Sequence, residues 1–315
     1  MPPSELVMSI PYSAEKDDLY YPAKHAVFFP AGRPKSDAAL CAELSRLAYC
    51  RLETSFGFDK DRIRKVLARV GFTDCQFFEN SVDSDCAGTH CFLALEEDNH
   101  RTPKLAFVAF RGTDKDDPTD LAHDFNAWPE SWKQQQSKVH SGFAEALAQV
   151  ESDVLAALKG VSCRVLFTGH SLGAATATLL ASLRTPDSLY TYGSPRVGDS
   201  AFVETLKGLD NHRYVDCCDI VTYVPPPSFG YEHLGEPYYI NLARQVKFDP
   251  PQTEIDNDRT RAEKEYIEKY AWRIGDVPLR PLADHAPVNY VWPVTAAIPQ
   301  HGPRPGRSMQ RVEEI

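Results

Sequence analysis

Arg164-Val165-Leu166-Phe167-Thr168-Gly169-His170-Ser171-Leu172-Gly173-Ala174 is the stretch whose reading decides the fold of this chain. The apolar, partly β-branched run from Arg164 predicts a strand, and the small residues from Ala174 to Leu183 predict a helix. Between them Ser171 has a glycine two residues before it and another two residues after it. A serine at such a strand-to-helix turn sits in a strained backbone at the tip of the strand, the arrangement of a nucleophile elbow. Glycine on both shoulders permits a close backbone approach that a Cβ would block. The helix that follows aims its free N–H groups and positive dipole end at the serine, where they favour a developing oxyanion. Ser171 is therefore the candidate nucleophile. The plainer alternative is a helix N-cap serine in a glycine-rich turn.

The chain has 315 residues, near the upper size for one core, with 43% hydrophobic and 25% charged residues, as in ordinary soluble globular proteins. Its net charge of −10 argues against nucleic acid as a partner and against electrostatic attachment to anionic lipid. Uncharged lipid substrates stay open. No apolar run approaches a membrane span, and MPPSELVMSIPYSAEKDD lacks the basic start and apolar core of a secretory signal. Of the eight cysteines, Cys41, Cys50, Cys163, Cys217 and Cys218 read as small buried hydrophobes with reduced thiols. Cys75, Cys86 and Cys91 lack zinc-ligand spacing. The expected compartment is the cytoplasm, with export by a route that needs no signal peptide as the alternative.

Residues 1–35 are expected to form an irregular Pro-rich arm, residues 36–298 the main domain, and residues 299–315 a mobile tail. From Ser36 to about Glu53, Ala39, Leu40, Leu44, Leu47 and Ala48 recur at helical spacing, with Ser36 or Asp37 as cap. A short helix is expected over Asp61–Val70, strands near Cys75–Glu79, Thr89–Glu96 and Leu105–Phe110, and one long helix over Gly142–Leu158. After the elbow come a strand at Ser188–Tyr192, a short helix at Asp199–Gly208 capped by Asp199, a strand at Arg213–Cys217 and a charged helix at Arg259–Tyr270. Strands alternating with helices imply an α/β sheet, mostly parallel, with helices on both faces.

A serine hydroxyl is a poor nucleophile at neutral pH, so it needs a base, and the base needs an orienting acid. With an elbow these follow in the order serine, acid, histidine. That order leaves His233, His285 and His301 of the ten histidines. His301 lies in the Pro/Gly tail. His233 alternates within FGYEHLGEPYY like a strand or hairpin side chain. His285 lies in a loop directly before an apolar segment and is the better base, with His233 the alternative. The acid belongs at the carboxyl end of a strand after the elbow. Asp187 comes too early, Asp210 precedes its strand and Asp216 lies within it, whereas Asp219 falls just past it. Asp219 can also be read as a turn aspartate that caps its own backbone. An oxyanion hole needs two N–H donors: Leu172, directly after the nucleophile, and a group from an earlier strand end. Thr113, in the Arg111-Gly112-Thr113-Asp114 turn, offers that second donor.

AFRGTD (109–114), VHSGFAEAL (139–147), FTGHSLGAATA (167–177) and YTYGSPRVGDSAF (190–202) together resemble the class 3 lipases, the filamentous-fungal triacylglycerol lipases and their bacterial relatives. RYVDCCDIVTYVPPP (213–227) looks like that family's acid segment and LADHAPVNYV (282–291) like its histidine segment. The likeness spans roughly residues 36–293 with the motifs in family order. It implies an α/β-hydrolase fold, ester hydrolysis, a triad of Ser171, Asp219 and His285, and Thr113 and Leu172 as oxyanion donors. It departs from the family at Thr222, where a proline is usual, in the longer and more acidic stretch between Thr113 and Val139, and in the absence of the disulfide spacings of secreted fungal members.

The resemblance also implies a helical lid after Thr113, here about residues 114–138. Leu121, Phe125 and Trp128 fall on one helical face, Pro129 would end that helix, and Trp132 adds a further apolar group. Such a face can meet lipid when open or stay packed on the core. Asp124 is a candidate brace for the Thr113 hydroxyl. Asp114, Asp116, Asp117 and Asp120 do not fit an EF-hand, because Thr119 and Phe125 stand where Gly and Glu are needed. They read as solvated loop acids, with an irregular calcium site as the alternative. The expected activity is serine-dependent hydrolysis of carboxylic esters of acylglycerol lipids, with no cofactor or metal and transient contact with a lipid surface. A phospholipase or galactolipase A1, a short-chain carboxylesterase and a non-catalytic lipid-binding protein are the rival readings.

Overall fold

Strands β1 (Phe72–Glu79), β2 (His90–Glu96) and β3 (Leu105–Phe110) are followed by a small hairpin of β4 (Pro129–Ser131) and β5 (Lys138–His140). After these come β6 (Arg164–His170), β7 (Ser188–Tyr192), β8 (Asn211–Asp216), β9 (Pro237–Ile240) and β10 (Val246–Phe248). The computed structural model describes residues 10–24, 27–52, 55, 57–80, 88–96, 104–113, 128–133 and 136–297. Eight strands form one sheet in the order β1-β2-β3-β6-β7-β8-β9-β10. Pairing is parallel from β3 through β9 and antiparallel at both edges. The sheet is the expected α/β arrangement, parallel through its centre.

β3 is continuously apolar, and β6 is apolar from Val165 to Phe167 and buried to its end, because both faces of the sheet are covered. Alternation then divides them between two cores. Leu105, Phe107, Ala109 and Leu166 pack with helices Asp37–Leu47 and Pro287–Ala296. Ala106, Val108, Phe110, Val165 and Phe167 pack with Phe143, Leu147, Val154, Leu179 and Leu180 on the other side.

Several boundaries differ from expectation for local reasons. Ser36 Oγ caps helix Asp37–Leu47 by accepting the Ala39 N–H at 3.2 Å, and Asp199 caps its helix at Phe202 N, 2.8 Å away. The first helix stops at Leu47 rather than near Glu53, because the Tyr49 and Cys50 N–H groups close tighter turns to Arg46 and Leu47. The single helix expected over Gly142–Leu158 is two, Ser141–Ala148 and Glu151–Leu158. Val150 turns inward between them and is buried, and Gln149 Oε1 accepts the Thr89 N–H at 2.9 Å. The charged helix starts earlier, at Gln252, and runs to Lys269.

The N-terminal arm is less irregular than expected. It contains the helix Lys16–Tyr20, and Tyr12 Oη donates to Asp284 at 2.7 Å while Ser13 N donates to Asn289 Oδ1 at 2.9 Å. The tail at residues 299–315 lies outside the described residues. Among the described residues no helix is long and apolar enough to cross a membrane.

Strand β6 and the helix Leu172–Leu183 approach too closely for any side chain at their shoulders. A Cβ on Gly169 would lie 2.2 Å from the Gly173 carbonyl oxygen, and one on Gly173 would lie 2.4 Å from the Phe110 carbonyl oxygen. Gly173→Ala therefore has to push backbone apart and is expected to destabilise by about 1–3 kcal/mol or more. Gly160→Ala, where nothing lies within 4 Å, should stay within about 0.5 kcal/mol of wild type in the same denaturant titration. Equal stability of the two variants would contradict the close-approach account.

Candidate active site

Ser171 stands at the end of β6 with φ 59° and ψ −128°, a left-handed conformation that a residue with a side chain rarely adopts. Its N–H donates to the Tyr192 carbonyl at 3.0 Å, and its carbonyl accepts from Ala174 N at 3.0 Å. The residue is 1% exposed, and its hydroxyl has no hydrogen-bond partner among the described residues. Leu172 opens the helix that follows, so its N–H belongs to the unpaired first turn.

Asp219 lies just beyond β8 and is fully buried. His285 Nδ1 faces its two carboxylate oxygens at 2.9 and 2.8 Å. Asp219 Oδ1 also accepts the Val221 N–H at 2.9 Å, and Oδ2 accepts the Tyr290 hydroxyl. The turn-capping contact to Val221 and the contact with His285 are thus made by the same carboxylate. A carboxylate accepts, so Nδ1 of His285 carries the proton and Nε2 is the ring nitrogen left for proton transfer. The structure brings Asp219 and His285 into contact; Ser171 and His285 are not hydrogen-bonded to each other. They are linked through His170, whose ring centroid lies 4.4 Å from that of His285. Catalytic hydrogen bonds of this kind are often long before substrate binds.

Thr113 is half-buried at the end of the turn after β3. A Cβ on the preceding Gly112 would come within 2.7 Å of the His170 carbonyl, so this turn packs against the backbone beside Ser171. Gly193 does the same work at the end of β7. With φ +57°, its missing Cβ would lie 2.7 Å from Asp219 Oδ2 and 3.1 Å from His285 Nδ1.

The rival assignments fall elsewhere. His233 Nε2 pairs with the Thr222 carbonyl at 2.8 Å, away from Asp219. Asp216 is clasped by Arg244 Nη1 at 2.8 and 2.9 Å. Thr222, standing where a proline was expected, donates its hydroxyl to the Asp219 carbonyl at 2.8 Å and so braces the acid turn. His301, Leu121, Phe125, Asp114, Asp116, Asp117, Asp120 and Asp124 lie outside the described residues. Trp128 is described and strongly exposed, at 83%. Trp132 is no part of an apolar lid face: it is buried in the core, and its Nε1 donates to Ser182 Oγ at 2.9 Å. The carboxyl end of the segment assigned to the lid is instead the β4–β5 hairpin.

Three residues around this constellation escaped the sequence reading. Tyr290 holds Asp219 and accepts the Asp216 N–H at 3.1 Å. Tyr49 Oη meets His170 Nδ1 at 2.7 Å, and His170 Nε2 meets the His285 carbonyl at 2.9 Å. The sequence signal was position alone for His170, beside Ser171, and for Tyr290, on the apolar segment after His285, while Tyr49 lay in the helix expected from Ser36 with nothing to mark it. Cys217, Cys218 and Asp284 bring three potential metal-ligand atoms within 4.8 Å of one another. They fit a cation poorly. Asp284 is already paired with Arg280 at 3.1 Å, and a hydrogen bond to Cys218 together with burial raises the Cys217 thiol pKa.

Residues 107–229 match the family described as Lipase (class 3). A lipase of Rhizomucor miehei is 39% identical over 120 residues, covering 33% of each chain. A secreted mono- and diacylglycerol lipase A of Penicillium cyclopium is 30% identical over 195 residues, covering 54% of this chain and 57% of that one. A solved triacylglycerol lipase, described as having a serine protease triad at its catalytic centre, superposes with a TM-score of 0.51. It is 27% identical and covered over 66% of this chain and 82% of its own. The chain thus spans about a third to just over half the length of these curated relatives.

Tyr290→Phe removes one of the donors holding Asp219 and leaves the buried Asp216 N–H without its acceptor, a penalty of about 1–3 kcal/mol. Any turnover that depends on His285 should fall about tenfold while the fold persists, read as kcat beside a melting curve. Burial pushes His90 down to about 4 and lowers His170 and His233 as well. These rings stay neutral in the folded chain but protonate below about 6.5 once unfolded. Stability is therefore full above about pH 6.5 and declines toward pH 4, at up to about 1.4 kcal/mol per pH unit for each histidine. Denaturant titrations across that window should show the slope, and His90→Gln should remove about one proton's share of it.

Proposed function

We propose that this chain, which belongs to the class 3 lipase family along residues 107–229, is a serine-dependent hydrolase of the carboxylic esters of acylglycerol lipids. The observation that carries the reading is the buried Asp219–His285 hydrogen bond past the end of β8, with a serine in a left-handed conformation at the same end of β6, two strands along the sheet. A structural serine, histidine and aspartate would have no reason to converge at one sheet edge with that strain.

In this reading Ser171 Oγ attacks the ester carbonyl carbon and His285 Nε2 accepts the hydroxyl proton. Asp219 holds the imidazole in the right tautomer and stabilises the cation it becomes, while Val221 N and the Tyr290 hydroxyl hold Asp219. The Leu172 N–H and Thr113 receive the tetrahedral oxyanion. The intermediate collapses as His285 returns the proton to the leaving alcohol. Water then attacks the acyl-serine with His285 again as base, releasing the fatty acid. No step requires a cofactor.

Acylglycerols are preferred over phospholipid, galactolipid or short-chain esters because the relatives are named as lipases and as mono- and diacylglycerol lipases. Export fits the relatives named as secreted, and the cytoplasmic expectation draws no support from them. The exposed Trp128 suits brief contact with a lipid surface.

Hydrolysis of p-nitrophenyl esters from acetate to palmitate tests the reading. The wild type should favour the longer chains, and Ser171→Ala should lose at least about a thousandfold in kcat. A fluorophosphonate should label wild type and not the variant. A wild type that neither turns over any ester nor accepts the label would sink the hydrolase reading.

A further inference from the structure

His170, directly before the proposed nucleophile, is a buried histidine that the proposed chemistry does not use. Its two ring nitrogens are both engaged. Nε2 lies 2.9 Å from the backbone carbonyl of His285, and Nδ1 lies 2.7 Å from the hydroxyl of Tyr49. A carbonyl oxygen only accepts, so Nε2 must carry the proton. In a neutral ring Nδ1 is then an acceptor, and the Tyr49 hydroxyl is its donor. Burial, and the neighbouring His285, lower the His170 pKa and keep the ring neutral. Neutrality matters, because the His285 ring stacks close by at 4.4 Å and becomes a cation during the proposed reaction. A second imidazolium there would oppose it.

Tyr49 reaches a third element as well. A Cβ on Gly112 would lie 2.0 Å from the Tyr49 hydroxyl and 2.7 Å from the His170 carbonyl. The hydroxyl is therefore wedged against the turn that presents Thr113. Tyr49 is itself held by the tight turns that end helix Asp37–Leu47, and its ring stacks edge-on against His170, with centroids 5.7 Å apart. One short chain of contacts thus joins the nucleophile's neighbour, the backbone of the base and the oxyanion turn.

We propose that Tyr49 and His170 are positioning residues: the Tyr49 hydroxyl, donating to Nδ1, holds the His170 ring in place, and the Nε2–H of that ring holds the His285 backbone so that the His285 ring stays aligned between Asp219 and Ser171. This rests on the hydrolase reading above. Its effect is on placement, so it appears in the chemical step and not in substrate binding. A small misplacement of a reacting group is enough to cost about a hundredfold in rate.

The test compares wild type with Tyr49→Phe, His170→Gln and His170→Leu. Gln keeps an N–H near the Nε2 position; Leu keeps only bulk. Each protein is measured for kcat and KM on one soluble p-nitrophenyl ester, for its rate of labelling by a fluorophosphonate, for melting temperature, and by 15N NMR of its histidine rings. Wild type should show a neutral Nε2–H ring for His170, and Tyr49→Phe should shift the Nδ1 resonance of that ring as the nitrogen loses its donor. Tyr49→Phe and His170→Leu should lower kcat and the labelling rate by about ten- to a hundredfold with KM little changed. His170→Gln should recover a clear part of what His170→Leu loses.

Unchanged kcat and labelling in Tyr49→Phe would overturn the proposal, as would a wild-type Nδ1–H tautomer. Losses that merely follow the melting temperature, with Gln no better than Leu, would overturn it in favour of a structural role. In each of those cases wild type is still labelled at Ser171. Failure of wild type to label or turn over overturns the hydrolase reading itself, and this inference with it.

Discussion

The left-handed backbone of Ser171 is the constraint on which the rest of the structure depends. A residue with a side chain reaches φ 59° only where its surroundings overdetermine it. Here they do so from several sides. The Ser171 N–H is tied to the Tyr192 carbonyl of the adjacent strand, and its carbonyl caps the helix through Ala174 and Ala175. Gly169 and Gly173 let strand and helix touch backbone to backbone, with β3 pressed against the same helix end. Strain of this kind persists only when packing offsets it, which is why both faces of β6 are filled with apolar side chains.

The same logic separates Asp219 from its neighbours. Asp216, Asp219 and Asp284 are all fully buried within a few residues of one another in space, and each meets a different fate. Asp216 is bound by Arg244 and Asp284 by Arg280, so their charges are neutralised locally. Asp219 meets neutral donors, Val221 N and Tyr290, plus the His285 ring. Without an arginine of its own, its charge is left to act on the imidazole. That division of partners makes one aspartate fit for an acid's role and leaves the other two as struts.

Much of this was legible in the sequence. The elbow, the caps at Ser36 and Asp199, and the strands β3, β6, β7 and β8 follow from local pattern, because glycine placement, capping chemistry and apolar periodicity are short-range. Asp219 and His285 were reached by order along the chain and position relative to strands. What local pattern could not supply was anything fixed by contacts between distant segments. The break after Ala148 depends on Val150 finding the core and on Gln149 finding Thr89. Trp132, read as a further apolar group beside a face that could open to lipid or stay packed on the core, proves to be a core tryptophan with Ser182 beneath its indole N–H. Tyr49, Gly193 and Tyr290 bear on the site only because strand ends far apart in sequence meet there; Gly193 and Tyr290 lie within quoted motifs, but nothing in those motifs shows what they touch.

The site also closes from the ends of the chain inward. His285 lies between two short helical pieces, and that segment is held by residues at the start of the protein: Tyr12 on Asp284 and Ser13 on Asn289, which in turn grips the Ala283 carbonyl. From the other side, Asp284 accepts the Cys218 N–H, one residue before the acid. The loop bearing the base is therefore braced by the arm, by the acid turn and by the charged helix through Arg280 and the Ala262 carbonyl. None of these braces is local. The placement of His285 against Asp219 therefore depends on contacts across the whole fold, whereas the elbow that presents Ser171 is built from residues contiguous in sequence.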